Sequence, residues 1–345
     1  MNEPVRIGQV GIGYWGRNLL RNFSAIPDAK VVAICEQRTD RHDALRSANP
    51  GARVTGNYSD LLDADDIEAM VVATETPAHY ELALTALRAG KHTFVEKPMA
   101  RTAGEAMDLV NEAEVRNLRL MVGHLLLYNP AFTHVEELVA AGELGEVYYL
   151  YSQRVNLGII RQNENAFESL APHDLSVALR MLDGEPVAVS AQGQSYIQHG
   201  IEDVVFATIY FDNGQLAHLH TSWLDPQKVR RVTVVGSRRM AVIDDVSGSE
   251  KVRLYDKGVD VRPGDPRYVE YAEAPSLRDG DILIPHIRSG EPLRIECEHF
   301  VECVRTGAAP RSDGRNGLAV VRLMQAASES LKQNGTCIEL TPQRA

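Results

Sequence analysis

"VRIGQVGIGYWG", residues 5–16, is an apolar run that breaks into three glycines, Gly11, Gly13 and Gly16, in G-x-G-x-x-G spacing. Apolar residues up to the first glycine predict a buried strand, and "YWGRNLLRNF" after the turn predicts a helix. Such spacing alone is a weak sign, because glycines gather in turns for many reasons. The context decides the reading: a second apolar strand, "AKVVAICE", ends at Glu36, about 20 residues beyond the turn. A strand, a glycine turn, a helix and a second strand ending in an acid form a dinucleotide-binding unit. Its glycines let the backbone approach a pyrophosphate, which free N–H groups at the helix N-terminus receive. Glu36 suits the two ribose hydroxyls and repels a 2′-phosphate, so the expected cofactor is NAD. Arg38, two residues on, leaves room for NADP. Tyr14 and Trp15, inside the turn, join the expected cofactor set.

The alternation continues outward from this unit. "IEAMVVAT", "KHTFVEK" and "LRLMVGH" read as further buried strands, "RHDALRSAN", "PAHYELALTALRAG" and "TAGEAMDLVNEAEVRN" as helices. Runs of this kind predict a parallel sheet covered on both faces, a Rossmann-type α/β domain over residues 1–123. Thr74, Thr76 and Pro77 fall at the carboxyl end of one strand, where ligands lie in such sheets, and His79 follows them.

After residue 123 the texture changes. "EVYYLYSQRV", "PVAVSAQGQSYI", "EDVVFATIYF", "GQLAHLHTSWL" and "RRVTVVGS" alternate polar and apolar residues, and several are joined by turn signals such as "DNG". Residues 124–345 are therefore expected to form an α+β domain with a large open, mostly antiparallel sheet. Helices are expected at "NPAFTHVEELVAAGELG" and "LAPHDLSVALRML", and two close the chain, "RIECEHFVECVRTG" and "NGLAVVRLMQAASESLKQNG". These last two are candidates to pack back on the first domain. The charged run from about 245 to 285 reads as strands and loops on a rim.

Composition narrows the class. With 345 residues, 44% of them hydrophobic and 24% charged, the chain fits two domains of ordinary size. No segment approaches the roughly 20 apolar residues of a membrane span, and no export signal precedes the first strand, so a cytoplasmic location is expected. A formal charge of −11 opposes sequence-independent binding to nucleic acid. The four cysteines show no disulfide or CxxC pattern. Cys297, His299 and Cys303 lie close in sequence but lack the further ligands of a closed metal site, and no metal is expected.

One strand ends oddly. "HTFVEKPMA", residues 92–100, places Glu96, Lys97 and Pro98 just where a ligand crevice is expected. An exposed Glu96–Lys97 pair ending a strand is one reading. Beside a glycine turn a second gains weight: a lysine donating a hydrogen bond to a substrate hydroxyl, so stabilising the alkoxide that forms as hydride leaves.

Together, "GIGYWG", "AGKHTFVEKPMA", "GELGEVYYL" and the closing "EPLRIECEHFVECVRTGAAPRSDGRNGLAVVRLMQAA" make the chain resemble the Gfo/Idh/MocA oxidoreductases along nearly its whole length. The resemblance implies a Rossmann domain, a C-terminal sheet whose outer face makes a homo-oligomer, and Lys97 as catalytic lysine, with Glu96 beside the cofactor. The family's second signature is an aspartate followed four residues later by a histidine. Its counterpart here is "ESLAPHDLSVAL", where His173 matches the histidine and Ser169 stands at the aspartate position, with Glu168 and Asp174 flanking. His173 is thereby implied as general base, with Ser169 and Asp174 beside the substrate. "GHLLLYNPAF", "SQRVNLGIIRQNENAF" and "LAPHDLS" resemble the branch that oxidises the 3-hydroxyl of nucleotide-linked amino sugars. On that reading Arg154 and Arg161 suit a diphosphate, while Tyr128, Asn156, Asn163 and Asn165 suit sugar hydroxyls. Reduction of a 3-keto sugar, oxidation of a free polyol such as an inositol, and a non-catalytic NAD-sensing protein are the alternatives.

Overall fold

Six parallel strands in the order β3-β2-β1-β4-β5-β6 form the sheet that carries the glycine turn. They are β1 (Val5–Val10), β2 (Ala29–Cys35), β3 (Arg53–Thr55), β4 (Ala69–Val72), β5 (His92–Val95) and β6 (Leu120–Val122). Between them run α1 (Tyr14–Ala25), α2 (His42–Ala48), the single turn α3 (Ser59–Leu62), α4 (His79–Arg88) and α5 (Ala103–Val115). The computed structural model describes residues 3–260 and 276–341. Burial explains why these segments pair: β4 is buried throughout, and Val10, Val72, Val95 and Val122 share one apolar cluster with Leu109 of α5. At the start of α5, Thr102 and Glu105 close a capping box, satisfying two helix-start N–H groups.

The remaining elements are α6 (Pro130–Ala140), β7 (Val147–Val155), α7 (Ala166–Met181), β8 (Pro186–Gln194), β9 (Val204–Phe211), β10 (Leu216–Ser222), β11 (Val229–Gly236), β12 (Met240–Asp244), β13 (Val252–Asp260), β14 (Ser276–Leu283), α8 (Pro292–Thr306), α9 (Gly314–Lys332) and β15 (Ile338–Glu339). Nine of the strands form a second sheet, β14-β13-β12-β11-β7-β10-β9-β8-β15. Its named pairings are antiparallel except β7 with β10, which run parallel. Alternation along β9 and β10 buries Val205, Ala207, Ile209, Ala217 and Leu219 on one face and exposes Phe206, Tyr210, Leu216 and His218 on the other. Part of the run expected to form the rim, residues 261–275, lies outside the described residues.

The chain divides into two compact units, residues 1–129 with 290–325, and residues 130–289 with 326–345. This differs from a division after residue 123, and side-chain packing explains why. Phe300 of α8 meets Phe23 of α1 and Phe94 of β5 edge-to-face, with ring centroids 6.1 and 5.7 Å away. Ser312 donates from its hydroxyl to Val122 O at 2.6 Å and pairs with the Tyr128 hydroxyl at 2.9 Å, tying residues 125–128 to the first unit. β3, α3 and β15 were not expected; at two to four residues they are too short to show a period. Among the described residues, no helix is long and apolar enough to cross a membrane.

Candidate active site

In the first unit the expected cofactor residues gather at the carboxyl edge of the parallel sheet. Gly11 follows β1 with a φ of +89°, and a Cβ there would lie 2.6 Å from the Ala73 carbonyl oxygen. A Cβ on Gly16 would lie 2.1 Å from the Gly11 carbonyl oxygen. Both positions therefore demand glycine. Gly13 is different, since a Cβ on it would meet nothing within 4 Å. It caps α1 without a side-chain bond, so the first-turn N–H groups receive no side-chain cap and suit a pyrophosphate. Gln9, which the sequence reading passed over, holds the turn from beneath: its side-chain amide donates to Gly16 O at 2.7 Å and Gly11 O at 3.2 Å. Tyr14 and Trp15 stand out from the turn, 75% and 43% exposed.

Glu36, just past β2, is buried and accepts from the Arg38 N–H at 3.0 Å. Arg41 reaches its other oxygen at 3.4 Å and the Ile12 carbonyl at 3.3 Å. Each carboxylate oxygen keeps a lone pair for a ribose hydroxyl. The Arg38 guanidinium, the residue that left NADP open, is turned to Asp40 at 2.8 Å. These groups fit an adenosine ribose without a 2′-phosphate.

Thr74 follows β4, and Thr76 and Pro77 form a short 3-10 turn leading into α4. His79 is 1% exposed, and its two ring nitrogens lie 2.8 Å from Pro98 O and 3.1 Å from Thr74 O. Its imidazole is thus enclosed by two backbone carbonyls, which stand where the expected cofactor contact would be.

Glu96, Lys97 and Pro98 follow β5, and the Lys97–Pro98 peptide is cis. The Glu96 carboxylate accepts from the Lys97 N–H at 3.2 Å, and a Cβ on Gly123 would lie 3.0 Å from it. Burial pushes the Glu96 carboxyl up to about 7 against the pull of Lys97. Glu296 of α8, buried, is raised further by burial and by the charge of Glu96. His124, past β6, is 1% exposed, with neither ring nitrogen hydrogen-bonded among the described residues. Burial, helped by Lys97, lowers it to about 3, so it is neutral. The surroundings of Lys97 thus contain a carboxyl that protonates near neutrality and an imidazole that stays uncharged. Glu296 and His124 escaped the sequence reading because only folding brings distant acids and imidazoles to one strand end. The "AGKH" lysine, Lys91, is spent structurally, donating to Ala64 O and Ile67 O at 2.8 Å each.

Tyr128 does not serve as expected. It is buried, with its hydroxyl between Ser312 Oγ at 2.9 Å and the Ser312 N–H at 3.3 Å, so it braces the first unit and has no group left for a sugar.

In the second unit, Asn165 and Glu168 form the capping box that starts α7, which occupies both side chains. Asn165 also donates to Glu202 at 2.8 Å. Glu168 is thereby turned to the helix start, and Asn165, expected at a sugar hydroxyl, caps α7 instead. Ser169 and His173, both partly buried, lie four residues apart along α7, on one face. Asp174 is buried against Arg154 of β7, with Nε to Oδ2 at 2.6 Å and Nη2 to Oδ1 at 3.0 Å. This fork fills the guanidinium edge that a diphosphate would need, so Arg154 and Asp174 hold β7 to α7 and are not assigned to substrate. Arg230 and Asp245 extend this charge group, at 3.8 Å from one another. Asn156 is partly buried, and Arg161 and Asn163 are exposed; Arg161 stands 3.6 Å from Glu164. His299 of the first unit accepts the Arg311 N–H at 2.9 Å and touches Cys303 Sγ at 3.4 Å.

A parallel sheet with a glycine turn after β1, an acid after β2 and a lysine after β5, all at its carboxyl edge, is the arrangement of a dinucleotide-dependent oxidoreductase. Residues 5–124 match the model of an oxidoreductase family with an NAD-binding Rossmann fold, and residues 132–242 match the GFO/IDH/MocA C-terminal domain. The chain belongs to the Gfo/Idh/MocA oxidoreductase family. It is 26% identical to a UDP-N-acetylglucosamine 3-dehydrogenase of Acidithiobacillus ferrooxidans, across 94% of this chain and 95% of that one. It is 24% identical to an NAD-dependent scyllo-inositol 2-dehydrogenase of Bacillus subtilis, across 100% and 99%. A solved structure of the Acidithiobacillus ferrooxidans UDP-N-acetylglucosamine 3-dehydrogenase superposes with a TM-score of 0.80 at 23% identity, covering 95% of this chain and 98% of that one, which shows the shared fold.

Proposed function

We propose that this NAD-dependent oxidoreductase oxidises the 3-hydroxyl of a nucleotide-linked N-acetylamino sugar, UDP-activated, to the 3-ketone, in the cytoplasm. The observation that carries the reading is Lys97, placed at the carboxyl edge of the sheet that bears the glycine turn, among groups whose charge is suppressed. NAD supplies the hydride acceptor. The substrate C3–H bond gives up its hydrogen with both electrons, and the hydroxyl gives up a proton, which leaves the ketone. Lys97 donates a hydrogen bond to the hydroxyl oxygen and stabilises the charge that grows there. His173 takes the proton, as an imidazole does near neutral pH. Ser169, in place of an aspartate, leaves that imidazole without a carboxylate four residues before it. Arg161 and Asn156 are the residues we assign to the diphosphate and a sugar hydroxyl.

One observation favours a second reading, oxidation of a free polyol. The Arg154 fork is already filled by Asp174, which removes one of the two arginines expected at a diphosphate. Formation of NADH on mixing with a panel of UDP- and dTDP-sugars and inositols separates the two. Turnover with a UDP-N-acetylamino sugar, and none with its nucleotide-free counterpart, is expected; turnover confined to inositols would replace the first reading with the second.

A further inference from the structure

The ends of β4 and β5 are neighbours in the parallel sheet, with Val72 opposite Val95. Beyond them the chain leaves the ladder, and the two segments that follow carry Thr74 on one side and Lys97 with Pro98 on the other. His79, the first residue of α4, spans the gap. Its ring reaches Pro98 O through Nδ1 at 2.8 Å and Thr74 O through Nε2 at 3.1 Å, buried from water.

Both partners are carbonyls, which only accept. A neutral imidazole has one N–H, so it can bond one of them fully. Burial lowers the His79 pKa, against the pull of the Pro98 and Thr74 carbonyls and with a smaller push from the charge of Lys97, which favours the neutral ring. We assign the N–H to Nδ1, the nitrogen with the shorter contact, so that it donates to Pro98 O. The Nε2 lone pair then faces Thr74 O, so the bond to Pro98 O is the one the ring makes fully. What this arrangement secures is the carbonyl one residue beyond Lys97.

We propose that His79 is a positioning residue for Lys97, fixing through the Pro98 carbonyl the direction in which the lysine leaves the end of β5. It touches neither the cofactor nor the substrate and acts only through the backbone it holds. The proposal rests on Lys97 being the catalytic lysine. A misplacement of about 1 Å at such a group costs on the order of 100-fold in rate.

Three substitutions test it, because amide side chains imitate the two ring nitrogens separately. Asn places its N–H near the position of Nδ1, and Gln places its N–H near that of Nε2. His79→Ala is expected to lower kcat by about 10- to 100-fold while the Kd for NAD changes less than about threefold. His79→Asn, which restores a donor to Pro98 O, recovers most of that kcat; His79→Gln does not. The basic limb of the pH–rate profile shifts in His79→Ala and returns in His79→Asn. Equal kcat in the Asn and Gln variants, or kcat that follows melting temperature across all three, overturns the proposal. So does a weakened Kd for NAD with kcat unchanged at saturation, which makes His79 a cofactor residue. Lys97→Ala, measured in parallel, separates this from the underlying reading: its activity surviving removes the catalytic lysine, whereas an inactive Lys97→Ala beside fully active His79 variants removes only the positioning role.

Discussion

Glu96 shows how burial ties the protonation of one residue to the stability of the fold. A carboxyl raised from its ordinary 4.5 to about 7 holds its proton in the folded chain while the unfolded chain has released it. Its contribution to stability is therefore full below pH 4.5 and is lost as pH rises through 7. Glu296, raised by the same burial, acts in the same direction, whereas Lys97 moderates the loss at Glu96. His124 works the other way: lowered from 6.5 to about 3, it contributes above 6.5 and loses that contribution as pH falls toward 3. Single-site variants separate the two. In urea unfolding, Glu96→Gln is expected to gain stability over the unsubstituted protein as pH is raised from 4.5 to 8. A constant difference across that range would mean that Glu96 ionises as freely folded as unfolded.

At the scale of elements, the second sheet presents a face that alternation alone leaves bare. Tyr149 and Tyr151 on β7 stack at 6.4 Å, and Phe206 on β9 stacks on His220 of β10 at 4.4 Å. Register places Leu216 opposite Tyr149 and Tyr210, and His218 opposite Tyr151 and Thr208, so these side chains form one continuous surface across three strands. Contiguous exposed aromatic area of this kind marks an interaction surface. We propose that it joins copies of this chain. Tyr151→Arg combined with Phe206→Glu is expected to lower the mass measured by light scattering to that of one chain. An unchanged assembly would place the interface elsewhere. The same elements explain why Arg154 misled the sequence reading: its partner, Asp174, is 20 residues away and meets it only because α7 packs on the sheet beside β7.

For the whole molecule, what was legible in the sequence was what is locally determined. The glycine turn, the strand ending at Glu36 and the Lys97 strand end each combine a short motif with a period, and the structure places all three on one sheet edge. Long-range pairing was not legible. Ser312 holding Tyr128, Phe300 joining Phe23 and Phe94, and His79 reaching Pro98 depend on the order of strands and the return of the last helices, which no local pattern encodes. Substrate residues suffered most, because buried polar side chains satisfied by one another look in sequence like groups waiting for a ligand.

The central claim, hydride removal assisted by Lys97, has a direct measurement. NADH formation is followed for the unsubstituted protein and Lys97→Ala with the best UDP-N-acetylamino sugar, and NAD binding by both is titrated alongside. The expected result is turnover lowered by about 10³-fold or more in Lys97→Ala, with NAD affinity retained. Comparable turnover in the two proteins would contradict the account.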